Sequence, residues 1–140
     1  AEKLKGVEFE GVYCSDLVRC GQTLAHLEPT NAVFDERLRE KSWGRAEGMS
    51  YDEICESFGI VYESFGQFVD AVGGESVAEF ERRVVEFFEE LRSKEHTNAL
   101  IVTHGGVIKT LLAKYRNISL EEAFGLDVPY ASITIIEDFV

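Results

Sequence analysis

The chain has 140 residues, 45% of them apolar and 11% aromatic, which suits one domain with a buried core. Its formal charge of -12 argues against nucleic acid and anionic membrane as partners, because both select basic patches; a few arginines can still build a local pocket for a small anion. No stretch is long and apolar enough to span a bilayer and no signal-peptide pattern is present, while three cysteines without a C-x-x-C argue against a disulfide framework or a cysteine zinc site and for reduced thiols in a cytoplasmic protein.

In chain order, residues 1–5 read as the tail of a helix stopped by Gly6, and the missing helix start predicts an upstream segment. Residues 12–14 form a short strand after Gly11, and Ser15 or Asp16 caps a helix over 17–26 with Leu17, Cys20, Leu24 and Leu27 on one face. Arg19 lies in the first turn of that helix, where the dipole disfavours a cation. Either it reaches over the strand end to a bound anion, bidentate if that anion is a phosphate, or it pairs with Asp16 or Glu28. Residues 31–35 are a third strand. Residues 36–48 are charged, carry the only Trp and show no period; they read as a loop able to close a site, with Glu40, Glu47, Arg37, Arg39 and Arg45 as its candidates.

Ser50 caps a short helix ending at Phe58, and residues 59–72 read as a lid-like excursion. From Val77 the pattern is strongly helical: Val77, Phe80, Val84, Phe87, Phe88 and Leu91 make one stripe, Ser76 is the N-cap and Glu79 completes a capping box. Its phenylalanines are core. Residues 99–113 organise the chain. Ala99 to Val102 is wholly apolar, as in a strand buried on both faces; Thr103-His104-Gly105-Gly106 breaks the run; Val107, Ile108, Leu111 and Leu112 resume at helical spacing. A strand, turn and helix of this kind puts His104 and two glycines at the carboxyl edge of a sheet, beside backbone N–H groups free to meet an anion. Residues 119–124 form a short helix capped by Ser119, and residues 131–136 read as the last strand, near a sheet edge.

Four segments together resemble the histidine phosphatases, the phosphoglycerate-mutase-like superfamily. They are Ser15-Asp16-Leu17-Val18-Arg19 with Gln22-Thr23; Leu38-Arg39-Glu40 with Trp43-Gly44 and Glu47-Gly48; Gly74-Glu75-Ser76 before a long helix; and Val102-Thr103-His104-Gly105-Gly106. The resemblance covers nearly the whole chain. It implies a three-layer α/β/α fold with a mostly parallel sheet, and a lid or cap over roughly residues 41–73. By position it implies that Arg19 grips a phosphoryl group, that Glu40 is the general acid, with Glu47 the competing acid, and that His104 hydrogen-bonds the transferring phosphoryl as a protonated imidazole. Ser15 lies at the rim of the same pocket, and Gly105 joins the phosphate site. Phosphoryl transfer of this kind is positioning plus charge stabilisation and needs neither metal nor cofactor.

The family's nucleophile is a different histidine, in an Arg-His-Gly motif after its first, central strand, and no Arg-His-Gly occurs here. The expectation is therefore that the strand and its histidine precede Ala1, in the same protein or on a complementing chain. The function implied is a metal-independent phosphomonoester hydrolase working through a phosphohistidine on a small phosphorylated substrate. The short excursion favours it over a phosphoglycerate mutase. A non-catalytic fragment or phospho-ligand-binding relative is the reading from another class, and a Ser15–His104–Asp16 hydrolase is disfavoured because no Gly-x-Ser-x-Gly elbow is present. A homodimer is left open.

Overall fold

A computed structural model describes residues 2–137 of the chain. Three strands, β1 (Gly11–Cys14), β2 (Val33–Phe34) and β3 (Ala99–Val102), form a parallel sheet in the order β2-β1-β3. Helices α1 (Val18–Ala25), α2 (Tyr51–Phe58), α3 (Phe65–Val72), α4 (Val77–Ser93), α5 (Gly105–Arg116) and α6 (Leu120–Phe124) surround it. Strand alternation decides the layers. Tyr13, Ala99 and Ile101 point to a core of Phe80, Val84, Phe87, Phe88 and Leu91 from α4 with Val107 and Leu111 from α5. Val12, Cys14, Leu100 and Val102 point the other way, to Cys20 and Leu24 of α1. The expected α/β/α sandwich follows.

The capping signals act as read. Ser76 Oγ accepts from Glu79 N–H at 3.2 Å while Glu79 Oε2 accepts from Ser76 N–H at 3.0 Å. Ser50 and Glu53 repeat the device at α2, and Ser119 caps α6. Helix α1 differs: its N-cap is Leu17, with no side-chain cap, because Asp16 turns away to Arg39. The segment from residue 36 to residue 48 holds two short 3-10 turns, Glu36–Leu38 and Gly44–Ala46, the first capped by Asp35.

Three further differences have physical causes. Residues 59–72 contain a true helix, α3, capped by Ser64. Two helical turns are too short to establish a period, and its apolar residues Phe68, Val69 and Val72 instead bury against Ala46 and Ile54 in a small cluster of their own. Residues 131–136 do not form the expected strand: no ladder partner lies beside them among the described residues, and Ile133 and Ile135 are 43% and 77% exposed. Alternation names a face, but only pairing makes a strand. For the related reason β3, expected to be buried on both faces, is half-buried along its whole length; among the described residues it pairs with β1 alone.

Candidate active site

Strands β1 and β3 end side by side, Cys14 opposite Val102, and Ser15 N–H continues the ladder to Val102 carbonyl at 2.9 Å. This brings Ser15 and His104 to the same carboxyl edge, the place where open α/β sheets bind ligands. His104 is buried and is the N-cap of α5. Its Nε2 lies 2.8 Å from Ser15 Oγ, Arg19 Nε donates to its Nδ1 at 3.2 Å, and Cys20 Sγ lies 3.4 Å from Nε2. Arginine only donates, so Nδ1 accepts. A neutral ring then carries its proton on Nε2 and donates it to Ser15 Oγ. Burial first, then the charges of Arg19 and Arg83, bring the His104 pKa down to about 4. A ring with this pKa is neutral at neutral pH.

Glu40 arrives from the loop after β2. Its Oε2 accepts from Gly106 N–H and its Oε1 from Lys41 N–H, each at 3.0 Å. The approach to α5 is so close that a Cβ on Gly106 would lie 2.1 Å from Glu40 Oε1, so any larger residue there displaces the carboxylate. Gly105, the first residue of α5, faces open space. Thr103 Oγ1 donates to Leu38 carbonyl at 2.7 Å and ties the loop to the end of β3. Arg19, Glu40, His104, Ser15 and Gly105, far apart in sequence, are thus neighbours of one strand edge and one helix start.

Other candidates fall elsewhere. Ser15 is fully buried behind His104 rather than open at a rim. Asp16 is held by Arg39 at 2.7 and 2.5 Å and does not orient His104, so no Ser-His-Asp triad forms. Glu47 accepts from Trp43 N–H, Arg37 is shared by Asp35 and Glu90, and Arg45 stacks over Phe58. His96 bonds Tyr13 Oη at 3.0 Å, and His26 closes α1. Cys14 is a packing residue whose thiol burial pushes up to about 11. Among the described residues no group of three or more His, Cys, Asp or Glu side chains is arranged to hold a metal ion.

One residue close to the site was not found by sequence reasoning. Arg83 of α4 lies opposite most of the apolar stripe, yet it is half-buried and bonded to the loop that carries Glu40. The available signal was its spacing from the Gly-Glu-Ser segment, one face of the helix below Glu75.

The profile of the histidine phosphatase superfamily (branch 1) matches residues 1–138. The chain belongs to that superfamily. It is 34% identical over 119 residues to "Putative phosphoserine phosphatase 2" of Hydrogenobacter thermophilus, covering 81% of this chain and 58% of that protein. It is 28% identical over 140 residues to a 2,3-bisphosphoglycerate-dependent phosphoglycerate mutase of Thermoplasma acidophilum, covering 98% of this chain and 68% of that one. Among solved structures, the Rv3214 open reading frame product of Mycobacterium tuberculosis superposes with a TM-score of 0.74 at 25% identity, over 94% of this chain and 68% of that chain. Bacillus stearothermophilus YhfR superposes with a TM-score of 0.72 at 26% identity, over 92% and 67%. The histidine phosphatase fold is thus shared, and the chain spans less than three fifths of the length of the first of these relatives.

Proposed function

We propose that the chain acts as a metal-independent phosphomonoester hydrolase through a phosphohistidine, with the nucleophilic histidine supplied by a segment preceding residue 1. The observation that carries this reading is the joining of Arg19, His104 and Glu40 at one strand edge, through the 3.2 Å Arg19–His104 bond and the 3.0 Å Gly106–Glu40 bond. The free edge of β3, half-buried along its length, is where the nucleophile-bearing strand is proposed to pair. The relative named for phosphoserine phosphatase activity supports hydrolysis of a small phosphorylated substrate.

In this reading Arg19 and the N–H of Gly105 hold two phosphoryl oxygens, and His104, protonated at the Nδ1 that Arg19 gives up for the phosphoryl, donates to the third. A bound dianion works against the burial that depresses the His104 pKa and favours its protonated form. The nucleophilic nitrogen forms a bond to phosphorus as the ester P–O bond breaks, and Glu40 gives its proton to the departing oxygen. A water then attacks the P–N bond, Glu40 takes the water's proton, and phosphate leaves with the nucleophile restored. Residues 41–73, with their own small core, serve as the lid that shapes the substrate site. The same reading puts the protein in the cytoplasm, where Cys14, Cys20 and Cys55 stay reduced; among the described residues no helix is long and apolar enough to cross a membrane.

The test is release of phosphate by the full-length protein, in excess chelator, from phosphoserine, 3-phosphoglycerate and p-nitrophenyl phosphate. Turnover with an acid-labile, base-stable phosphoryl label on the protein, and loss of turnover in His104→Ala, is the expected result. Binding without label or turnover sinks the hydrolase reading. A second reading, the mutase, is favoured by the 28% identical mutase relative; transfer of the label to phosphoglycerate in preference to water would establish it.

A further inference from the structure

We infer that Arg83 is a positioning residue for Glu40; the inference rests on the assignment of Glu40 as the general acid. The guanidinium has five N–H donors in a planar fork, and the structure uses all five. Nε and Nη2 donate to the two carboxylate oxygens of Glu75 at 2.5 and 2.8 Å. Nη1 donates to the carbonyls of Arg37 and Arg39 at 2.7 and 2.8 Å, and the second hydrogen of Nη2 goes to the carbonyl of Glu40 itself at 3.1 Å. The plane rests on the Phe80 ring, 4.7 Å from its centroid. Three carbonyl acceptors at and just before the acid, those of Arg37, Arg39 and Glu40, are therefore gathered on one side chain of a helix that is itself anchored by buried Phe80, Val84 and Phe87.

Glu75 closes the other side of the clamp. Its N–H donates to Ser42 carbonyl at 3.1 Å, and Gly74 before it lies so close that a Cβ there would meet Ser42 O at 2.5 Å. The Glu40 backbone is thus gripped on the amino side by Arg83 and on the carboxyl side by the Gly74–Glu75 turn. The carboxylate reaches α5, where the Gly106 N–H donates to one oxygen, while the neighbouring Lys41 N–H of the loop donates to the other. A lysine at position 83 has three donors on one centre and does not span three carbonyls and a carboxylate. The arrangement fixes where the proton donor stands, while the donor itself touches nothing of Arg83 but its own backbone.

The experiment compares full-length wild type with Arg83→Met and Glu75→Gln on two substrates, an alkyl phosphate and p-nitrophenyl phosphate. A poor alkoxide leaving group needs the acid and a nitrophenolate does not. Arg83→Met is expected to lose activity about tenfold further on the alkyl ester than on the aryl ester, the same split expected of Glu40→Gln. An equal loss on both esters means that Arg83 merely supports the fold, and overturns the inference. Glu75→Gln, which loosens the fork and leaves the arginine in place, gives the same reading if Arg83→Met does not fold. The second readout needs no turnover: the Gly106 amide proton, bonded to Glu40, is protected from exchange with solvent. Arg83→Met is expected to raise its exchange rate about tenfold, and an unchanged rate overturns the inference. If wild type hydrolyses neither ester, the hydrolase reading falls, and the Gly106 amide still decides whether Arg83 holds Glu40.

Discussion

Replacing Gly106 by alanine separates the placing of Glu40 from the stability of the fold. The added Cβ would stand 2.1 Å from Glu40 Oε1 and 3.0 Å from its Cδ. Carbon and oxygen atoms do not approach that closely, so the carboxylate must retreat by roughly 1 Å. It then loses the N–H of residue 106, a bond to a charged acceptor worth about 1.5–3 kcal/mol. Residue 106 lies inside α5, and alanine there recovers about 1 kcal/mol of helix propensity. The net expectation is a loss of roughly 1 kcal/mol, a fall in Tm of about 3 °C. Activity responds far more, because a general acid contributes about 100-fold or more and works only from within hydrogen-bond reach. The assay is kcat for an alkyl phosphate and for p-nitrophenyl phosphate, beside a thermal melt. An alkyl-ester kcat within a factor of about two of wild type would refute the role of Glu40 as acid at this position. Gly105→Ala is the control for stability: no atom lies within 4 Å of its Cβ, and its Tm is expected not to fall.

His104 has a folded pKa of about 4 against an ordinary 6.5, so on acidification the unfolded chain takes up its proton first. The stability it contributes is complete above pH 6.5 and is lost as pH falls through 4. The loss amounts to about 3 kcal/mol, and urea melts should show His104→Gln with a flatter acid limb than wild type. Inorganic phosphate should move the ring titration upward in NMR; no movement would count against anion binding there. Arg19→Met removes a cation that lowers the His104 pKa, so the ring should titrate higher, and phosphate affinity measured by calorimetry should drop. Ser76→Ala deletes the side-chain half of the α4 capping box, the bonds of Ser76 Oγ with Glu79 N–H and Oε2, and should cost about 1 kcal/mol in denaturant unfolding, with little change in kcat.

Much of the site was legible because its residues sit at breaks in pattern. His104 stands where an apolar strand stops and a helix begins, and Arg19 stands where a cation is out of place on a helix. Glu40 was singled out among five charged residues only through its neighbours in a motif; its partner Gly106 shows why, since a glycine there is a space for the carboxylate. Arg83 was not legible, because a charged residue on the polar side of an amphipathic helix looks the same whether water or a loop receives it. Helix α3 was hidden by its brevity, and residues 131–136 looked like a strand because alternation carries no information on whether a neighbour is present.

From the amino-acid order alone follow the strand-turn-helix units, the Ser50 cap of α2, the capping box and apolar stripe of α4 and the family to which the motifs belong. These depend on interactions within a few residues, or on spacing that repeats along one element. The tertiary structure alone decided that Arg19 and Ser15 meet the ring of His104, that this ring is neutral, and that Arg83 gathers the carbonyls around Glu40. Each of these joins residues more than 40 positions apart. Burial and the field of neighbouring charges, which set a proton's affinity and a side chain's partner, exist only once those distant segments are packed together.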